Sequence, residues 1–244
     1  MRLLSLCLPL LAIAASAGQA EDRDRGPGIP GERRGDTIVY RVANFDAVGI
    51  GTAGIADVRV GPAWSLRIEG PEAALRTLRV TNERGRLNIG RRWSDRNDGD
   101  AERRLRIFVT LPRLKQAALG GSGRVAIDRV AGDGFEAAVG GSGTMAIGRL
   151  DVARATVSIG GSGEVSASGR ARDLTVNVGG SGDLRAPGLV ASSATIAAAG
   201  SGNIRASVDG PATVSLVGSG DVDLGPRARC RVTRMGSGRV SCGR

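Results

Sequence analysis

The tripeptide Gly-Ser-Gly occurs seven times between residues 121 and 238, at a nearly constant spacing. Its serines are Ser122, Ser142, Ser162, Ser181, Ser201, Ser219 and Ser237. Successive serines are 20, 20, 19, 20, 18 and 18 residues apart. A period of about 20 residues is typical of a solenoid, in which each repeat forms one coil stacked on the previous coil.

Apolar residues alternate with polar or small residues on both sides of each Gly-Ser-Gly. In the first repeat, Ala117 lies five positions before the serine, and Val125 and Ile127 lie three and five positions after it. An alternation of period two is typical of strands that bury one face, and no helical period of 3.6 competes with it. We therefore predict an all-β fold, a parallel β-helix (β-solenoid) with coils of 18–20 residues and Gly-Ser-Gly corners.

The composition agrees with a narrow solenoid. The 244 residues include 39 glycines but only two Trp, one Tyr and three Phe. We expect small apolar residues to fill the interior, and the glycines on either side of each serine to adopt positive φ at the corner. The seven serines are predicted to form a structural ladder along one edge. They are not candidate nucleophiles, because no copy fits G-x-S-x-G and the chain has no histidine.

The absence of histidine also excludes whole classes of enzyme. Ser-His-Asp and Cys-His hydrolases need it as a base, and catalytic zinc sites use it as their commonest ligand. The net charge is +10, and Lys115 is the one lysine among 34 basic residues. Because the charge is spread along the chain, it favours a solvated arginine-rich surface, with an anionic partner as the alternative.

The N-terminus has the pattern of a secretory signal peptide, which we place at residues 1–20. Arg2 precedes an apolar run, and small residues follow that run. A retained N-terminal anchor is the alternative. No later apolar stretch approaches ~20 residues, so we predict an exported protein of the periplasm or cell surface, with no transmembrane segment in the mature chain. Residues 21–36, rich in charge, Gly and Pro, are predicted to be a flexible leader.

Removal of the signal peptide leaves two cysteines, Cys230 and Cys242. An even pair of cysteines in an exported chain favours a disulfide. Both fall at inward positions of the last coil by the alternation described above. We predict that they are bonded and that the bond closes the open end of the solenoid.

Residues 37–118 lack the repeat but contain strand-like runs separated by turn signals. We predict that they form irregular coils of the same solenoid, followed by the regular coils of residues 119–244. A separate small β-domain is the alternative. The predicted strands are Thr37–Val42, Ile55–Val60, Ser65–Ile68, Leu75–Val80, Leu87–Ile89 and Leu105–Leu111.

Three groups of residues, taken in order, resemble a known family. They are Asn44-Phe45-Asp46-Ala47-Val48, then Ile107-Phe108-Val109-Thr110-Leu111-Pro112-Arg113-Leu114, then the Gly-Ser-Gly repeats followed by pairs such as Asp183-Leu184 and Asp221-Val222. This order resembles the GIN-domain family of autotransporter-adhesin heads over roughly residues 40–240. The resemblance implies an exported bacterial protein with a β-helix-like fold, and it brings no catalytic residues.

One glycine motif and one set of polar residues can each be interpreted as a binding site or as a structural feature. The segment Gly49–Gly54 fits G-x-G-x-x-G, but a strand pattern follows it in place of the helix that a dinucleotide site requires, so we predict a turn. Residues after the corners include Glu164, Asp183 and Asn203. Weak calcium binding there is an alternative to a solvated face, although the corners at both ends of the repeat are followed by arginine.

The sequence predicts an exported, non-enzymatic solenoid that acts as an adhesin-like or envelope interaction module without a cofactor. Surface glycans or envelope proteins are the expected partners, and nucleic acid is disfavoured by export and by the scarcity of aromatic residues. The alternative is a polysaccharide hydrolase or lyase. It depends on Asp221 and Asp223, which alternation places on one outward face.

Overall fold

The computed structural model describes residues 28–92 and 99–243, and strands dominate it. All 18 strands belong to one sheet. The strands before the repeats are β1 (Gly31–Arg34), β2 (Thr37–Tyr40), β3 (Ala47–Ile50), β4 (Ile55–Val60), β5 (Ser65–Glu69), β6 (Leu78–Glu83), β7 (Arg86–Arg91), β8 (Arg106–Leu111) and β9 (Gln116–Leu119). Those of the repeats are β10 (Arg124–Val139), β11 (Thr144–Gly161), β12 (Glu164–Gly180), β13 (Asp183–Gly200), β14 (Ile204–Val208), β15 (Pro211–Gly218), β16 (Val222–Asp223), β17 (Arg229–Met235) and β18 (Val240–Ser241). The helices are α1 (Glu72–Thr77) and α2 (Gly99–Arg103).

Parallel pairing in register stacks the repeats into a β-solenoid, which confirms the predicted fold. Equivalent residues of successive coils lie directly opposite one another, because the period of the sequence equals the length of one coil. Almost all of the inward residues are buried. One inward column contains Val125, Met145, Val165, Leu184, Ile204, Val222 and Val240.

Each regular coil has three sides. The back wall contains the first parts of β10–β13 with β14, β16 and β18, and the front wall contains the last parts of β10–β13 with β15 and β17. Between the walls, residues 129–134 pair with residues 149–154 and form the third side. The sequence predicts only two strand segments per coil. The strands instead continue through the third side, where Gly132 (φ +133°) and Gly169 (φ +128°) allow the chain to bend.

The first coils follow a different order along the stack than along the chain. In the front wall, β3 pairs with β7 on one side and β9 on the other. In the back wall, β4 lies between β8 and β10. The coil of residues 47–60 is therefore inserted between the coil of residues 86–111 and the regular repeats. The strands β1, β2, β5 and β6 pair antiparallel and, with α1 and α2, form what we call the N-terminal cap.

Two segments of the cap differ from the sequence prediction. The pattern predicts a strand over Leu75–Val80, but α1 ends at Thr77 and β6 begins at Leu78. The residues of α1 are mostly strong helix formers, and Glu72 pairs with Arg76 across one turn. The predicted leader includes Gly31–Arg34, which forms β1 by pairing with β2. The predicted signal peptide lies outside the described residues.

The buried apolar residues on both sides of residue 118 belong to one hydrophobic core. It extends from Tyr40 and Phe45 near the cap to Leu224 and Ala228 in the last coils. The predicted division of the chain into irregular and regular coils at residue 118 stays a prediction. The core itself is filled mainly by Val, Leu, Ile and Ala, as the narrow interior requires.

Both glycines of each corner are needed because successive coils approach closely there, and the first is in most corners also needed for its backbone conformation. The first has positive φ in five of the seven corners, for example +135° at Gly200. The second does not, but a Cβ at Gly202 would lie 2.0 Å from the carbonyl oxygen of Gly182 in the preceding coil. The prediction that both glycines adopt positive φ is therefore wrong for the first glycine of two corners, Gly121 and Gly141, and for the second glycine of every corner. That glycine is required because successive coils approach too closely at the corner for any side chain.

The C-terminal end of the solenoid is formed by β17 and β18. A disulfide joins Cys230 and Cys242, whose Cα atoms are 6.1 Å apart. Both cysteines are half-buried and pack against the core. Nearby, Val232 and Met235 are 44% and 73% exposed. This end is therefore closed by the predicted covalent bond and not by an added layer of structure.

Candidate functional site

The seven corner serines are all exposed along one edge of the solenoid. Four of their backbone amides, those of Ser162, Ser181, Ser201 and Ser219, donate to the preceding coil; for example, the N–H of Ser201 donates to the carbonyl oxygen of Gly180 at 3.0 Å. Within the described ranges, a bond between two of these hydroxyls occurs only where Ser237 Oγ donates to Ser219 Oγ at 3.2 Å. The hydroxyls therefore do not form the continuous ladder that the sequence suggests. The structural role of the serines stays a prediction.

Polar residues that follow the corners form a hydrogen-bonded ladder on the back wall. Asp183 Oδ1 accepts the backbone N–H of Asn203 at 2.8 Å and its side-chain amide at 3.1 Å. Asn203 Oδ1 accepts the N–H of Asp221 at 3.2 Å, and Asp221 Oδ1 accepts the N–H of Arg239 at 3.0 Å. Each side chain thus binds the backbone of the next coil, so these groups stabilise the stack.

Arg185 lies beside this ladder, among the residues for which the sequence is also compatible with calcium binding. Its guanidinium lies 3.2 Å from Glu164 and 3.3 Å from Asp183. Burial alone would raise the pKa of Asp183, but the hydrogen bonds from Asn203 and Arg185 outweigh it and hold this pKa below its usual range. A calcium ion would have to displace Arg185. No group of three metal-ligating side chains occurs in residues 28–92 and 99–243.

Two further motifs have structural explanations. The segment Gly49–Gly54 covers the end of β3 and the corner that leads into β4, so the predicted turn is confirmed and no helix follows it. Asp221 and Asp223, the candidate carboxylate pair, are exposed on the back wall. Asp221 accepts the N–H of Arg239, and Asp223 Oδ1 accepts the N–H of Gly225 at 3.1 Å. Each carboxylate therefore has a structural partner on an open strand.

One face of the front wall carries no charged side chain over four coils, and we call it the neutral face. Its outward residues come from β11, β12, β13 and β15, where the threonines pair in register about 4.8 Å apart. Glu136 precedes the threonine column and Arg231 follows it. The twelve residues are Thr156, Ser158, Gly160, Thr175, Asn177, Gly179, Thr195, Ala197, Ala199, Thr213, Ser215 and Val217.

The neutral face is slightly concave. A shallow groove of about 460 Å³ follows its middle column, past Ser158, Asn177, Ala197 and Ser215. The alternate residues of the same strands are buried in the core, so the backbone under the groove is held in place. The face thus presents short polar and apolar groups on a rigid support.

A cleft of about 730 Å³ opens beside the N-terminal cap, and we call it the Trp64 cleft. It lies where the chain enters β3, β7 and β9, next to the turn between β4 and β5. Trp64 is 39% exposed there, and its Nε1–H donates to the carbonyl oxygen of Phe45 at 2.9 Å. The lining residues are Asn44, Phe45, Asp46, Trp64, Arg84, Gly85, Pro112, Arg113 and Lys115.

The backbone of the Trp64 cleft is strained and tied together. Asn44 (φ +60°) and Arg84 (φ +52°) are the two non-glycine residues with positive φ in the described part of the chain. The carbonyl oxygen of Gly85 accepts the N–H groups of Asp46 and Ala47, at 3.0 and 3.2 Å. Such strain costs about 1–3 kcal/mol and persists where the surroundings enforce it. The cleft is therefore preformed.

Sequence reasoning missed both surfaces. The neutral face has a detectable signal, because Thr156, Thr175, Thr195 and Thr213 each lie six positions before a corner serine. The Trp64 cleft has none, because its residues lie far apart in the chain and meet only through the inserted coil. The predicted serines and cysteines lie at a corner and at the C-terminal end, outside both surfaces.

The comparisons with known proteins agree with the architecture. A family profile described as "Putative auto-transporter adhesin, head GIN domain" matches residues 44–227. No curated protein has a significant match to the chain.

Crystal structures of several bacterial proteins share the fold. A "putative adhesin" from Bacteroides fragilis superimposes with a TM-score of 0.76 at 23% identity, covering 88% of this chain and 100% of that one. A "putative lipid binding protein" from Parabacteroides distasonis superimposes with a TM-score of 0.69 at 19% identity, covering 88% of this chain and 98% of that one. A "putative adhesin" from Parabacteroides merdae superimposes with a TM-score of 0.61 at 16% identity, covering 90% of this chain and 100% of that one. At these identities the likeness concerns the fold.

Proposed function

The chain belongs to the family described as "Putative auto-transporter adhesin, head GIN domain", and from this premise we propose that it is a non-enzymatic, adhesin-like interaction module of the bacterial envelope. The module binds through its neutral face. Its partners are surface glycans or envelope proteins, and it works after export to the periplasm or the cell surface. Within residues 28–92 and 99–243, no helix is long and apolar enough to cross a membrane.

The observation that carries the proposal is the absence of charge on the neutral face. The whole chain is 24% charged, yet twelve outward positions over four coils contain no charged residue. A partner that covers this face removes no ionised group from water, and desolvation of such groups is a main cost of association. Ala and Gly lose no rotamer freedom on contact, and Thr and Ser supply hydroxyl donors and acceptors.

The enzyme alternative has less support. Asp221 and Asp223 are exposed and accept backbone hydrogen bonds, whereas a glycosidase places two carboxylates on either side of a bond in a cleft. Incubation with neutral and acidic polysaccharides should yield no new reducing ends and no unsaturated ends. Cleavage of any of them would favour the enzyme.

Charge placed on the neutral face tests the proposal. Thr195 and Ser215 lie near its centre, and we expect the double variant Thr195→Glu/Ser215→Glu to lose at least about tenfold in sedimentation with envelope fragments of the source bacterium. Ser192→Glu adds an exposed charge outside this face and is the control. Equal binding by the double variant and the wild type would refute the neutral face as the binding surface.

A further inference from the structure

We propose that the Trp64 cleft is a second binding site, and that its ligand is an acidic saccharide carrying a carboxylate. The site is separate from the neutral face, because the cleft lies at the N-terminal cap and the neutral face begins in β11. Neither surface needs the other in order to bind.

The cleft exists because the third side of the solenoid stops at β10. Residues 129–134 of β10 pair with β11, but nearer the cap β8 turns directly into β9 of the front wall, and β4 leads into β5 of the cap. Val60 at the end of β4 is bound by Asp128, whose Oδ1 accepts its N–H at 3.0 Å, and by Arg129, which donates to its carbonyl oxygen at 2.9 Å. The space that a further third-side strand would occupy is open, and Trp64 lies beside it.

Trp64 supplies an apolar surface of fixed orientation. Its Nε1–H is already bonded to Phe45, so the indole needs no polar group from a ligand. The exposed ring is one of only six aromatic residues in the chain, and it is more exposed than a core residue would be. An aromatic face of this kind packs well against the C–H face of a sugar ring.

Three cationic side chains line the cleft together with Trp64. Lys115 Nζ lies 2.5 Å from Asp46 Oδ2, and this ion pair holds the only lysine of the chain at the cleft. Arg84 and Arg113 are exposed, and neither forms an ion pair with another residue of the described ranges. The lining therefore has a net positive charge. Arginine binds carboxylates through two parallel N–H groups, and this geometry gives the site its preference for an acidic ligand.

The preformed backbone strengthens this assignment. The positive φ of Arg84 sets the direction in which its side chain leaves the turn, and Gly85 ties that turn to the segment before β3. A neutral oligosaccharide would use the indole but leave both arginines without an anionic partner. An acidic saccharide uses both parts of the cleft, so we expect it to bind more tightly.

A matched pair of ligands provides the test. Tri-galacturonic acid and its fully methyl-esterified form share the same sugar backbone, and the ester replaces each carboxylate by an uncharged methyl ester. We expect calorimetric titration to give at least about tenfold tighter binding of the acid. Binding of the acid should also change the tryptophan fluorescence. Absence of binding by the acid, or equal binding of acid and ester, would overturn the proposal.

Variants locate the binding to the cleft. Arg113→Gln should weaken binding of tri-galacturonic acid about tenfold, whereas Arg231→Gln, which removes one exposed charge from the last coil, should leave it unchanged. Trp64→Ala should also weaken it, and Trp64→Phe should restore part of the affinity. Equal losses in the two arginine variants would reveal only general attraction to a basic protein. The neutral-face double variant should bind the acid normally, so failure here is distinguishable from failure of the proposed function.

Discussion

The two ends of the solenoid are closed in different ways. At the N-terminal end, antiparallel strands and two short helices cover the first coil, and Leu66, Leu87 and Leu105 are fully buried there. At the C-terminal end, Val232 and Met235 remain exposed, and the last coil is held by a disulfide. One end is thus closed by hydrophobic burial and the other by a covalent bond.

Each end of the solenoid has to prevent other chains from pairing with its strand edges, and the two ends do so differently. An open coil presents unpaired strand edges, which pair readily with other chains. The cap removes the edge by covering it. The last coil instead carries Arg229, Arg231 and Arg234 on β17, and no acidic residue follows Asp223 in the chain. Like charge at this edge opposes end-to-end pairing of two C-terminal ends.

The largest effect is expected from a cavity in the cap. Leu105 is fully buried, and Leu105→Ala should lower the free energy of unfolding by about 4 kcal/mol, through lost burial and the cavity left behind. Val232→Ala at the other end should change it by less than about 0.5 kcal/mol, because Val232 is 44% exposed. Urea unfolding measures both. Similar losses at the two ends would contradict the contrast between them.

Removal of the disulfide should be the next largest effect. Cys230 and Cys242 are 12 residues apart, and Cys230→Ser/Cys242→Ser should lower the free energy of unfolding by about 3 kcal/mol, through the freedom gained by the unfolded chain. The wild type under reducing conditions is the control and should behave like the variant. An unchanged unfolding curve would mean that the last coil needs no covalent closure.

Between the two ends, a methyl group at a corner tests the stacking distance. Gly202→Ala should cost about 2 kcal/mol or more, because the new Cβ would collide with the carbonyl oxygen of Gly182. A Cβ at Gly140 would have no other atom within 4 Å, so Gly140→Ala should be neutral or slightly stabilising. Thermal unfolding compares the two variants. A neutral Gly202→Ala would show that the coils are not stacked as closely as described.

The smallest effect concerns the polar ladder of the back wall. The folded pKa of Asp183 lies below its unfolded value, so its ionised form stabilises the fold above about pH 3.9, and this contribution disappears as the pH falls through the folded pKa. The contribution should be below about 1 kcal/mol, because the carboxylate is only partly buried and its partner Arg185 is exposed. Asp183→Asn should reduce the loss of stability on acidification in urea titrations. Asp133→Asn, which also removes one carboxylate but lies outside the ladder, is the control.

The repeats were the part that sequence could predict. The column of Val125 and its equivalents recurs with the coil length, so alternation and period identify inward positions without knowledge of the fold. The same register placed Cys230 and Cys242 together. These features depend on local sequence and on nearest neighbours in the stack.

The cap and the Trp64 cleft could not be predicted in the same way. The insertion of residues 47–60 between two later coils is a non-local pairing, which no period encodes. Leu75 shows that a local pattern can also mislead, because its apolar spacing fits a strand although it is buried in α1. Trp64, Arg84 and Arg113 meet only because of the inserted coil, so sequence alone could not group them.

The central claim is that the neutral face of the front wall binds the partner, and methyl NMR tests it most directly. On titration with solubilised envelope fragments, the methyl signals of Thr175, Thr195 and Val217 should shift or broaden. The outward methyl groups of Ala126 and Ala146 on the back wall should not change. Changes confined to the back wall, or no change at the neutral face while the fragments bind, would contradict the claim.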